Sequence, residues 1–240
     1  MSTTMSVPVV GSPRRVLYMG LGVLMALIAI VGFWPRYFGP LVFGTLVQPL
    51  LIHVHATVFS GWLVLFFLQA YFAATKRIRL HLAMGKAAIW YGVLLVVVGL
   101  TTGVIRSAAS PPGLAEELLL AIIEDMLMFT GFFAAAIVYR KQPRLHRPLM
   151  VVAASSLLVA AVARMGPLLP AEPYLTPLTL LIWCLPLLVA MVQEFRTTRR
   201  VHPVYWIAIA MFVLRRFGVD AIADTNSWRD FAHAVFARVS

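Results

Sequence analysis

Three histidines stand in the same local pattern at widely separated points of the chain. Each follows a basic residue and an aliphatic one, at 79–81, 144–146 and 200–202, where an apolar segment begins after a basic turn. The pattern places His81, His146 and His202 at one depth in a helical bundle. Three imidazoles at one level can bind zinc, and two can bind a haem iron. The positive end of a helix dipole disfavours imidazolium, so these rings stay neutral and able to ligate.

The alternative for these histidines is that they are interfacial residues of basic turns that do not converge.

A second candidate group, an outer polar cluster, comprises His55, Asp125 and Arg164. His55 lies about 39 Å of helix away from His81, so it belongs to a separate site.

Asp125 and Arg164 have similar distances along the chain from the turn at Pro143. Asp125 is 18 residues before it and Arg164 is 21 after it, which predicts similar depths on two antiparallel helices. We therefore expect an ion pair between them, either locking two helices together or lining an outer cavity with His55. Glu124 is expected to face elsewhere, because adjacent helical residues diverge by about 100°.

The composition shows which elements must position these residues. Hydrophobic residues make up 61% of the 240 and charged residues 12%, against about 25% charged in soluble domains. A water-soluble fold is excluded, and the sequence predicts an all-α, polytopic transmembrane helical bundle in contact with a lipid bilayer. The net charge of +11 arises mainly from the segments between apolar blocks. It therefore reports membrane orientation and not nucleic-acid binding.

The apolar blocks predict six to seven spans, of which we favour seven. The seventh is too short to cross the membrane unless Arg215 and Arg216 lie within the bundle or at the far interface. The predicted domains are a disordered segment at 1–15, a bundle at 16–218 and an interfacial amphipathic segment at 219–240. The predicted spans are 16–34, 47–74, 82–105, 118–139, 149–165, 175–195 and 204–214.

The distribution of basic residues predicts the orientation. The amino terminus and the ends of the second, fourth and sixth spans are basic, which places them on the cytoplasmic side of a bacterial-type inner membrane. The single cysteine, Cys184, lies in an apolar block and gives neither an intrachain disulfide nor a thiolate metal site.

Several short motifs carry a resemblance. They are H-x-x-x-x-x-G-W at 55–62, R-L-H-x-x-x-G at 79–85, and H-R-x-x-M at 146–150 followed by Arg164. In these motifs the chain resembles bacterial polytopic membrane-protein families of unknown function, which imply no activity. A more distant likeness is to cytochrome b561, in which histidines near both membrane faces hold two haems. Here the outer side offers His53 and His55 on one helix, with His233 as the remaining partner, so the likeness implies an inner haem held by two of His81, His146 and His202.

Three functions follow from these patterns. The first is a structural, partner-binding or transport-related bundle with a protein partner or a second copy of the chain. The second is a b-type haem protein that transfers electrons through the inner histidines, and the third is a zinc-dependent membrane hydrolase. The zinc hydrolase has less support, because the acidic Glu124 and Asp125 lie on the opposite side of the membrane from the histidines. The chain has no nucleotide-binding, zincin or lipase motif.

Overall fold

The computed structural model describes residues 13–171 and 173–239, and in these ranges every regular element is helical. The prediction of an all-α bundle is confirmed. A π-helical stretch (Trp34–Phe38) separates α1 from α2, and a 3-10 segment (Ala163–Leu168) follows α7. The α-helices are α1 (Pro13–Phe33), α2 (Gly39–Val42), α3 (Leu50–Ala74), α4 (Ile78–Ala108), α5 (Leu114–Val138), α6 (Pro143–Ser156), α7 (Val159–Val162), α8 (Leu175–Thr198), α9 (Pro203–Ala223) and α10 (Asn226–Phe236).

Within the described ranges, six segments are long and apolar enough to cross a membrane, which makes this a multi-pass integral membrane protein. They start at α1, α3, α4, α5, α6 and α8, and each contains 24 to 31 residues. Helix α1 begins at Pro13, so residues 13–15 belong to it; residues 1–12 of the predicted disordered segment lie outside the described ranges.

Helix α9 is longer than the predicted seventh span. It continues unbroken through Arg215 and Arg216 for 21 residues, or about 32 Å. Its charged residues keep it out of the set of six apolar spans. The helix continues because the Arg215 side chain, only 13% exposed, is turned into the bundle.

Helix α6 is the centre of the bundle. Its residues 151–154 are consecutive and completely buried, so the helix is covered on all sides. On one side α6 packs in a core with α1, α8 and α9, where the rings of Trp183 and Phe212 stack at 4.1 Å. On the other side Ala153 packs in a core with α3, α4 and α5.

The core of α3–α6 is aromatic. Trp62 is 1% exposed and meets the rings of Phe129 and Phe133 at 5.1 and 5.2 Å. The neighbouring Gly61 lies directly against the hydroxyl of Tyr91, which donates a hydrogen bond to the Val58 carbonyl at 2.9 Å. The G-W pair of the first motif therefore packs helices together.

Helix α10 is held against the start of α5. The Trp228 indole donates to the Glu116 carbonyl at 3.0 Å, and His233 Nε2 lies 2.9 Å from Glu116 Oε1. The Thr225 hydroxyl caps the helix, which begins at Asn226, seven residues after the start of the predicted 219–240 segment. Its place at a lipid interface stays a prediction.

Gly32 allows the closest approach between α1 and α7. A methyl group added there would collide with the backbone of Ala161, which cannot swing aside as a side chain can. Gly20, on the same helix, has no atom within 4 Å of the equivalent position.

We expect Gly32→Ala to lower the free energy of unfolding by about 1–3 kcal/mol, because the two helices must move apart. Gly20→Ala is the matched control and should change it by less than about 1 kcal/mol. Thermal unfolding in detergent, followed by circular dichroism, checks this. Equal stability of the two variants would contradict the close contact.

Candidate functional site

His81 lies in the first turn of α4, at the end of the bundle that carries the basic turns; we call this the basic end. Its Nδ1 atom is 3.2 Å from the Gln69 carbonyl oxygen on α3. A carbonyl oxygen can only accept a hydrogen bond, so Nδ1 is the donor. This bond orients the ring and, in neutral imidazole, leaves a lone pair on Nε2.

His146 has the same arrangement one hairpin later. It lies in the first turn of α6, and its Nδ1 is 2.8 Å from the Ala136 carbonyl oxygen on α5. This carbonyl lies in the last turn of its helix, and the amide of Arg140 bonds to Ile137 instead. His146 therefore satisfies a carbonyl left over at the helix end.

The two rings lie at the same end of the bundle, in the first turns of α4 and α6. His81 and His146 lie close enough to interact electrostatically, and both are half-buried. In the described part of the chain, neither Nε2 atom makes a hydrogen bond. At the basic end, both imidazoles therefore use Nδ1 for a carbonyl bond and leave Nε2 without a hydrogen bond.

His202 does not share this arrangement. Its Nδ1 accepts a hydrogen bond from the Val204 amide at 3.2 Å, and its own amide donates to Glu194 Oε2 at 2.9 Å. When Nδ1 of a neutral ring accepts, the proton is on Nε2. Residues 13–171 and 173–239 contain no group of three or more His, Cys, Asp or Glu residues that could hold a metal ion, so the three histidines form no such group.

Gln69 adds a buried polar group near His81. Its carbonyl accepts from the His81 ring, but the side-chain atoms Oε1 and Nε2 are both buried without a hydrogen-bond partner. Gly85, one turn after His81, is near this amide, since a methyl group at Gly85 would come within 3.9 Å of its Nε2 atom. Unpaired buried polar atoms in a native protein call for an explanation, such as an additional bound group.

The predicted ion pair of Asp125 with Arg164 is wrong. Both carboxylate oxygens of Asp125 accept hydrogen bonds from Arg215 on α9, at 2.9 and 3.4 Å. The prediction that Glu124 faces elsewhere is also wrong, because its Oε2 atom lies 3.5 Å from the same guanidinium. One arginine therefore faces two carboxylates in this three-residue cluster.

The depth of each residue along its helix explains why Asp125 pairs with Arg215 and not with Arg164. Arg215 is 12 residues into α9 from the basic end and Asp125 is 13 residues from the end of α5, or about 18 and 20 Å. Arg164 lies further on, beyond the break between α6 and α7. The residue distances from Pro143 compared only the two segments on either side of that turn. Helix α9 was left out, and its Arg215 is closer in depth to Asp125 than Arg164 is.

Arg164 and His55 form a separate group at the other end of the bundle, which we call the opposite end. Arg164 donates to the Ala160 carbonyl and lies 4.9 Å from the centre of the Phe33 ring. His55 stacks on Phe59 at 4.1 Å and interacts electrostatically with Arg164. Of the predicted outer cluster, His55 and Arg164 lie at the same end of the bundle, and Asp125 is bound to Arg215 instead.

Three residues of these sites, Arg215, Glu124 and Gln69, were not among the predicted site residues. The partner of Asp125 could have been found from Arg215 and Arg216, which directly follow the apolar segment at 204–214, because a buried charge needs a partner of opposite sign. Gln69 had a weaker signal, a single amide in an apolar span. No protein-family model, curated protein or solved structure matches the chain.

The Asp125–Arg215 pair predicts a specific pattern of energetic coupling. Asp125→Asn and Arg215→Gln should each lower the free energy of unfolding by about 3 kcal/mol. Arg215→Gln leaves the buried Asp125 carboxylate without its partner, and Asp125→Asn leaves Arg215 with only the longer contact to Glu124. The double variant should lose less stability than the two single variants together, with a coupling energy of about 1–3 kcal/mol. Unfolding by SDS in mixed micelles measures all three variants.

Arg164→Gln provides the control in the same cycle. The effects of Arg164→Gln and Asp125→Asn on the free energy of unfolding should add to within about 0.5 kcal/mol, since the two side chains share no partner. Strong coupling to Arg164 and none to Arg215 would restore the original pairing and contradict the structure.

Proposed function

We propose that this integral membrane protein binds a b-type haem at its basic end, with His81 and His146 as the two axial ligands. The observation that carries the proposal is their matched geometry, in which Nδ1 of each ring donates to a backbone carbonyl and Nε2 stays free. Bound haem would supply one-electron transfer.

The donor set fits this group. Ligating histidines commonly donate their other ring nitrogen to a carbonyl, which fixes the ring and raises the basicity of the ligating atom. His81 and His146 lie on α4 and α6, which both start at the basic end. The buried, unpaired amide of Gln69 is a polar group within the same layer.

The surrounding charges also suit a haem. Arg79, Arg144 and Arg147 are close in sequence to the two histidines and are exposed. Guanidinium groups pair well with carboxylates, so these arginines are available to the two propionates. The proposal assigns one haem, because at the opposite end His53 is bound to the Tyr37 hydroxyl at 3.0 Å and His55 has no histidine partner among the described residues.

We place the basic end in the cytoplasm of a bacterial-type inner membrane. Twelve of the 20 Lys and Arg residues lie at the start of α1, in the three turns at that end, or in the helix ends that flank these turns. This is the bias that cytoplasmic segments carry.

The other two functions have less support. A zinc hydrolase needs three ligands and an activated water, and the described ranges hold no group of three such donors. A transport-related role is favoured by one feature, the Glu124–Asp125–Arg215 cluster within the bundle. A purely structural role would explain the carbonyl bonds of His81 and His146 but not the unpaired amide of Gln69.

The test is haem content after purification in detergent and titration with hemin. We expect about one haem per chain, with a Soret band that shifts on reduction by dithionite. His81→Ala and His146→Ala should each reduce the bound haem at least about tenfold, because one axial ligand is lost. His202→Ala, a histidine at the same end with its Nδ1 already engaged, should retain it.

Size-exclusion profiles separate loss of haem from loss of fold. A monodisperse His146→Ala variant without haem supports the proposal. A wild-type protein that takes up no hemin, or equal retention in all three variants, would contradict it and leave the structural, partner-binding or transport-related function.

A further inference from the structure

A groove lies along α8 where this helix reaches the basic end; we call it the α8 groove. It has a volume of about 350 Å³, and its lining consists of Met191, Val192, Phe195, Arg196, Arg199 and Val201. The first five follow one stripe of α8 and its C-cap, and Val201 belongs to the turn before α9. Apolar side chains therefore line the part toward the membrane interior, and two arginines line the part at the end of the span.

The apolar part of the groove suits a hydrocarbon chain. Met191 is buried in the core that joins α1, α6, α8 and α9, and Val201 packs against the same core. Val192 and Phe195 are 52% and 49% exposed. They belong to a membrane-spanning segment, so the medium that surrounds them is the acyl chains of lipids.

The position of Arg199 is fixed beside the ring of Phe195. Arg199 ends α8 in the left-handed region, at φ 56°, a conformation that glycine usually supplies at a helix end. Its amide donates to the Phe195 carbonyl at 2.8 Å, and its guanidinium lies 5.9 Å from the centre of the Phe195 ring. A guanidinium over an aromatic face keeps its N–H groups available for hydrogen bonds. Phe195 therefore connects the apolar part of the groove to its basic part.

The two arginines of the groove have no carboxylate partner within the described ranges. The ion pairs found there involve Arg215, Arg229 and His233. Glu194, the acidic residue closest in sequence, accepts a hydrogen bond from the His202 amide at 2.9 Å instead. Arg196 and Arg199 are both exposed, so an anion at the membrane surface can reach them.

From this arrangement we infer that the α8 groove binds a phospholipid with an anionic headgroup. Arg196 and Arg199 bind the phosphate, because guanidinium groups pair with phosphate oxygens in bidentate fashion. An acyl chain packs on Val192 and Phe195, and this order of basic and apolar groups follows that of a lipid at the end of a span. Basic pockets beside membrane helices commonly bind anionic headgroups. The inference is independent of the proposed haem, whose ligands lie on α4 and α6.

The test compares three probes on detergent-purified protein, with thermal unfolding followed by tryptophan fluorescence. The probes are phosphatidylglycerol, phosphatidylcholine with the same acyl chains, and inorganic phosphate against chloride at equal ionic strength. We expect phosphatidylglycerol to raise the unfolding temperature by several degrees, as a ligand of the folded state does. Phosphatidylcholine has no net negative charge and inorganic phosphate has no acyl chain, so each should have little effect.

The variant R196Q/R199Q removes both charges of the groove. Both side chains are exposed, so the fold should persist. We expect the apparent affinity for phosphatidylglycerol to fall at least about tenfold, since hydrogen bonds to charged groups contribute more than neutral ones. The matched control is R140Q/K141Q, which removes two exposed charges from the turn between α5 and α6 at the same end of the bundle. It should bind phosphatidylglycerol as the wild type does.

The control separates a specific groove from the general charge of the basic end. Equal loss of affinity in R196Q/R199Q and R140Q/K141Q, or no loss in either, would overturn the inference. Equal stabilisation by phosphatidylcholine would indicate ordinary contact with bulk lipid, and a response to inorganic phosphate alone would indicate a site for a soluble anion. Either result would also overturn it.

Discussion

Inside a bilayer, a polar group has only the protein to bond with, and this constraint shapes every site in the bundle. Water is absent from the hydrocarbon layer, and an unpaired polar group there costs several kcal/mol. Asp125 and Arg215 meet this constraint by binding each other. His81 and His146 meet it by donating to helix carbonyls. The amide of Gln69 is one of several buried polar groups that have no such partner among the described residues.

Helix α6 connects the two ends of the molecule. It starts at the basic end with His146 in its first turn, is completely buried at residues 151–154, and leads through α7 to Arg164 at the opposite end. Trp62 and Phe129 pack against the middle of this helix through Ala153. Because the middle is a close-packed aromatic core, the two histidines at the basic end and the His55–Arg164 group at the opposite end lie in two separate polar layers.

The sequence predicted the helices well because each span is an apolar block bounded by charged or turn residues. It could not identify the partner of Asp125, since the depth count compared one hairpin and left out α9. The three Arg-x-His patterns look equivalent in the sequence, yet His202 accepts at Nδ1 where His81 and His146 donate. That difference depends on which backbone group lies beside each ring, and residue spacing does not record it. His55, Asp125 and Arg164 were expected to line one outer cavity, but Asp125 binds Arg215 instead.

The central claim is that His81 and His146 together ligate one haem iron, and its most direct test is electron paramagnetic resonance of the oxidised, hemin-loaded protein. Two axial imidazoles make ferric haem low-spin, and loss of one shifts it to high-spin. We therefore predict a low-spin signal in the wild type and in His202→Ala, and a high-spin signal from any haem retained by His81→Ala or His146→Ala. A low-spin signal that persists when both His81 and His146 are replaced would contradict the account.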